Sequence, residues 1–158
     1  MGNVTKLSML GLGLLLLTGA LQSASAKGLT RAQTNYMLQC QGCHKASGSG
    51  MPPQTPDFHE HGDAFMHSEA GRRYWISVPG AANSPLTDGA LADVLNYIAN
   101  DIVKVDNHTA FTAEEVRAHR GEKMTNVYEV RQNLVDSLAA TQAPLSSTVR
   151  EKNESPGG

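Results

Sequence analysis

The residues whose types and spacing most directly suggest chemistry are Cys40-Gln41-Gly42-Cys43-His44, and they hold both cysteines of the 158-residue chain. Thiols at positions i and i+3 share one face of a helix, and the imidazole directly after the second thiol is held close to the same spot. Two thiols that reach the vinyl groups of a porphyrin, and an imidazole that reaches its iron, are what covalent attachment of haem c requires. The spacing Cys-x-x-Cys-His is read as such a site for this reason. Cys40 and Cys43 are therefore the candidate thioether positions for one haem c, and His44 the candidate proximal iron ligand. Gly42 leaves room between the thiols for a flat ligand.

Three other uses of the cysteines compete. A disulfide between residues three apart closes a very short loop and constrains little of the chain. A redox dithiol of thioredoxin type would sit at a helix N-terminus after a strand, whereas here the pair ends a helical stretch with no βαβ pattern around it. A zinc site needs further ligands at suitable spacing; His59 and His61 are at hand, but in an order that makes a weak set.

The elements around the motif are legible from their caps and periodicity. Thr30 and Gln33 form a capping-box pattern, and Ala32, Tyr36, Cys40 and Cys43 then line one helical face. Residues 47–62 contain Pro52, Pro53 and Pro56 and are predicted to be an irregular loop, because proline breaks a regular helix. A short helix is predicted after Ser68, carrying Tyr74 and Trp75 and stopped by Pro79 and Gly80. The clearest helix follows Thr87, with Leu91, Val94, Leu95, Ile98 and Ile102 as its core-facing stripe. Beyond it, Phe111, Thr112, Glu115 and Val116 have the pattern of a capping box with a hydrophobic staple. A last helix is predicted over about 125–140, with Val127, Val130, Leu134 and Leu138 at helical spacing. No alternating strand pattern stands out.

A capped helix ending in CQGCH, a Gly/Pro loop, a short aromatic helix and a final amphipathic helix together resemble a small class I c-type cytochrome over about 29–102. The resemblance implies an all-α fold around one covalent haem, the first and last helices crossing through Tyr36 and Leu95 or Tyr97. Such cytochromes usually supply a methionine sulfur to the other face of the iron, often from a Pro-Gly-x-x-Met loop before the last helix. Here the loop runs Val78-Pro79-Gly80-Ala81-Ala82-Asn83, and Asn83 stands where that methionine would be. Met66 is the first candidate for the vacant role, with Met51, Met124, His59, His61 and His67 behind it. An open or water-ligated iron with Asn83 beside it is the remaining alternative.

The chain divides on this reading into a signal peptide at 1–26, a cytochrome domain at 27–102, a helical extension at 103–140 and a disordered tail at 141–158. Lys6, the apolar run from Leu7 and the small residues Ala24-Ser25-Ala26 have the pattern of a cleaved secretory signal. The apolar run is short of the roughly 20 residues that span a bilayer, so periplasmic export with no membrane span after cleavage is expected. Lys+Arg number 13 against 15 Asp+Glu, for a formal net charge of −2. That balance lacks the basic stripe a nucleic-acid partner would call for.

The implied function is single-electron transfer between periplasmic redox proteins rather than enzymatic catalysis, either as a free carrier or as the cytochrome subunit of a dehydrogenase system. A second class follows from the missing loop methionine: a haem protein whose open or weakly ligated iron binds nitric oxide or peroxide, or acts like a peroxidase. No obvious distal acid–base pair supports the enzymatic variant. Arg72 and Arg73 are read as partners of haem propionates or of solvent.

Overall fold

A computed structural model of the chain describes residues 28–122 and 124–151, with side chains described as far as residue 141. The expected signal peptide therefore lies outside the described residues, as does the end of the tail. Among the described residues the fold is all-α, with one isolated bridge between Met51 and Thr55. No described helix is long and apolar enough to cross a membrane.

Helix α1 spans Arg31–Gln39 and is capped as its sequence implies, Thr30 accepting from the Gln33 N–H and the Gln33 side chain from the Thr30 N–H at 2.8 Å. The backbone breaks helical geometry at Cys40 and resumes for one turn, α2 (Gln41–His44). The glycine- and proline-rich loop ends sooner than expected, because Asp57 caps the next helix by accepting from the His59 N–H at 2.8 Å. The prolines exclude helix only before that cap, so α3 occupies Phe58–His67. Helix α4 (Glu69–Ser77) starts at Ser68, as predicted. Pro79, expected to stop α4, also opens a single turn α5 (Pro79–Ala82), since proline's fixed φ suits a first helical position.

Thr87 caps α6 (Asp88–Tyr97), which passes into a π-helical turn at Ile98–Val103. Helices α7 (Ala113–His119) and α8 (Val127–Glu151) follow. Helix α8 runs on to Glu151, past the end expected near residue 140 and into the stretch expected to be disordered.

Helix α1 packs across α6, where Tyr36 meets Tyr97 edge-on at 5.6 Å between ring centroids. Helix α3 packs on α4 so closely that a Cβ on Gly71 would lie 2.4 Å from the Phe65 backbone. The C-terminal extension is joined to the same core, in which Phe111, Val116 and Leu134 cluster with Tyr36 and Leu95. Asn96 bonds both the N–H and the carbonyl of Phe111. Arg72 lies 3.9 Å over the Phe111 ring, donates to the Thr109 carbonyl and pairs with Glu115 at 2.6 Å. That pairing takes Glu115 away from the second half of its capping box; Thr112 still accepts from the Glu115 N–H.

From just beyond α7, Arg120 reaches back to the segment between α5 and α6. It donates to the carbonyls of Ala82 (3.0 Å), Leu86 (2.6 Å) and Ser84, and to the Asp88 carboxylate (3.2 Å).

Two outcomes follow. Gly71→Ala gains helix propensity but forces α3 off α4, so it should lower unfolding free energy by about 1–3 kcal/mol, read from denaturant titration. An unchanged midpoint would show that the pair separates freely. Arg120→Ala should cost about 2 kcal/mol through its lost charge-assisted bonds, read in the same titration.

Candidate haem-binding site

The motif is held by α1 from behind. The Tyr36 hydroxyl, buried in the core, donates to the Lys45 carbonyl at 2.6 Å. That bond fixes the chain where it leaves α2, with Lys45 at a positive φ of 55°. The His44 ring stacks on Phe58 at 3.9 Å and 14°, and Phe58 in turn lies 4.8 Å from Trp75. The loop can bring Phe58 there only because Gly48, at φ +83°, has no side chain; a Cβ would lie 2.6 Å from Ile102 and 3.0 Å from Phe58.

Cys40, Cys43 and His44 all line one cavity of about 290 Å³, near the lower end for small-molecule sites. Val78, Ala81, Ser84 and Leu86 around α5, and Leu91 and Leu95 of α6, line it as well. Tyr74, Val127 and Arg131 line it too, and are shared with a neighbouring cavity of about 590 Å³.

The chemistry of these groups suits haem attachment better than its competitors. Both thiols are free, Cys40 half-buried and Cys43 exposed. Burial, with the neighbouring Cys43, pushes the Cys40 thiol up to about 11, the opposite of the lowered value that marks a reactive redox dithiol. Among the described residues no group of three or more His, Cys, Asp or Glu is placed to hold a metal, so zinc lacks a ligand set. His44 Nδ1 is buried with no hydrogen-bond partner. Burial holds this imidazole below the ordinary histidine range; the Pro56 carbonyl and Asp57 carboxylate pull it the other way, without reaching Nδ1 in hydrogen-bonding geometry. A neutral imidazole beside two thiols in an apolar cavity fits a haem c donor set. A Cβ on Gly42 would meet nothing within 4 Å, so its role as a spacer does not rest on the protein's own packing.

The other candidates are dispersed. Met66 is 1% exposed in the core and is not among the residues lining the cavity. Met51 is 49% exposed, and Met124 packs on the core's edge. His59 Nε2 bonds the Ser47 carbonyl (2.9 Å), while the His67 nitrogens bond the carbonyls of Asp63 and Asp106. His61 stacks on Phe65 and faces the neighbouring cavity. Asn83 is exposed. None of these lines the cavity that holds His44.

Arg72 and Arg73 do not reach that cavity either; Arg73 pairs with Glu122 at 2.6 Å. The residues that sequence reasoning passed over are Phe58, Arg120 and Arg131. Phe58 carried no signal, since it was assigned to a loop. Arg131 did: it follows Val127 by four positions and precedes Leu134 by three, a charge on the apolar stripe of α8.

No family model and no solved structure matches the chain. It is 34% identical over 131 residues to a cytochrome c-552 of Thermus thermophilus, covering 70% of this chain and 85% of the relative. A second cytochrome c-552 of Thermus thermophilus is 35% identical over 108 residues, covering 55% of this chain and 82% of the relative. With the thiols and the imidazole gathered at one apolar cavity, and with relatives aligned over most of their length, the chain belongs to the c-type cytochromes.

Proposed function

We propose that Cys40 and Cys43 attach one haem c, that His44 is its proximal iron ligand, and that the protein carries single electrons between redox partners in the periplasm. The observation that carries this reading is the convergence of two free thiols and one imidazole, whose buried Nδ1 has no hydrogen-bond partner, on a single apolar cavity. When bound, the haem supplies a one-electron iron couple whose potential its ligands and surroundings tune. The chain's part is to hold His44 neutral and oriented through the Tyr36 and Phe58 contacts, and to exclude water with the α5 and α6 walls. Cys43 at the surface and Cys40 further in place the attachment edge where a partner can approach. The name shared by the relatives supports an electron carrier. Export rests on the signal pattern at 1–26, and the haem-binding unit is 27–102 with 103–140 as its extension.

A second reading is favoured by one specific observation. Among the described residues no thioether or second imidazole lines the cavity, which supports an iron that is open or weakly ligated on its far side and takes up small ligands such as nitric oxide or peroxide.

Exported wild-type protein should keep its haem through acidic organic extraction, and the Cys40→Ser/Cys43→Ser double variant should retain none. Covalent haem in that variant would overturn the attachment assignment. Carbon monoxide added to the reduced wild type should form a complex within the mixing time if the far side is open. A low-spin spectrum indifferent to carbon monoxide and to cyanide would sink that second reading and leave the simple carrier.

A further inference from the structure

Helix α8 brings a cation to the cavity where the local pattern calls for an apolar residue. Arg131 lies on the same stripe as Val127 and Leu134, its side chain is 16% exposed, and it lines both cavities. Among the described residues it is the only lysine or arginine lining the cavity that holds His44. A guanidinium has five donors, and among the described residues this one commits few of them: Nη2 pairs with the half-exposed Glu60 carboxylate at 3.2 Å, the Tyr74 hydroxyl is engaged alongside, and the group sits 5.3 Å from the centre of the Phe65 ring. The contrast with the other inward arginines is plain: Arg72 and Arg120 each spread their donors over several acceptors.

We propose that Arg131 is a cofactor-binding residue that receives a carboxylate of the bound tetrapyrrole, with Tyr74 beside it, so that the C-terminal helix forms part of the haem pocket. This rests on the haem reading above. Haem carries two carboxylates, and the cavity is otherwise mainly apolar. Among the described residues its one acidic lining residue, Asp57, is already engaged in capping α3. The unspent donors of Arg131 form a planar fork that matches a carboxylate. The two arginines that sequence reasoning favoured for this role are committed to Glu115 and Glu122.

The test uses the full-length protein with its haem attached. Removing a cation that pairs with a carboxylate of the haem makes the ferric form easier to reach. Arg131→Gln should therefore lower the reduction potential at fixed pH, whereas Glu60→Gln should raise it or leave it unchanged. An unaltered potential in Arg131→Gln, or an equal fall in both variants, would show that Arg131 merely fastens α8 to Glu60 and would overturn the proposal. Should Arg131→Gln fail to fold, wild type labelled with ¹⁵N-arginine decides. The guanidinium resonance assigned to Arg131 by its loss in Arg131→Lys should shift between ferric and ferrous protein, and its staying fixed would refute the contact. Wild type that binds no covalent haem at all would instead refute the underlying site assignment.

Discussion

The structure is organised around an imidazole whose Nδ1 is buried without a partner. Leaving such a group unsatisfied costs about 1–3 kcal/mol, so the fold must hold His44 in place by contacts that do not involve that nitrogen. It does so from two sides. The Tyr36 hydroxyl grips the carbonyl of the next residue, and the Phe58–Trp75 pair supports the face of the ring. Both supports depend on long-range packing: Tyr36 is set by the α1–α6 crossing, and Phe58 by the approach of Gly48 to the π-helical turn. Ordering the site and ordering the core are thus one event.

The C-terminal extension takes part in the same event. Phe111 is bracketed by Asn96 and covered by Arg72, while Arg120 bonds the α5–α6 segment and Arg131 lines the cavity itself. A unit that stopped at residue 102 would lose the Arg120 anchor on its α5–α6 segment and the Val127 and Arg131 side chains from the lining of the cavity. The extension makes up for a short α5–α6 segment whose own side chains are mostly small.

What the sequence revealed, and what it did not, divides along the range of the interactions. Caps are local, so Thr30, Ser68, Thr87 and Thr112 announced four helices correctly from a side chain and the residues just after it. The start of α3 was missed because three prolines dominated the reading of its neighbourhood, though Asp57 was a cap in plain view. The motif gave Cys40, Cys43 and His44 at once, and the structure gathers them at one cavity. The walls of that cavity were not legible, because they are set by residues dozens of positions away. Arg72 and Arg73 sit beside the aromatic helix in sequence, yet they turn away from the cavity to Glu115 and Glu122. Arg131, distant in sequence, turns inward. Whether a methionine near the motif in sequence is near it in space is a tertiary question, and Met66 is packed in the core rather than along the cavity.

Arg120 holds the α5–α6 segment almost wholly by main-chain carbonyls, those of Ala82, Ser84 and Leu86. Carbonyls are indifferent to the side chains they belong to. Residues 82–86 can therefore be exchanged over evolutionary time without loosening the wall they form. The segment is in this sense a replaceable panel on a fixed frame, open to diversification in side-chain size and polarity while the scaffold stays the same.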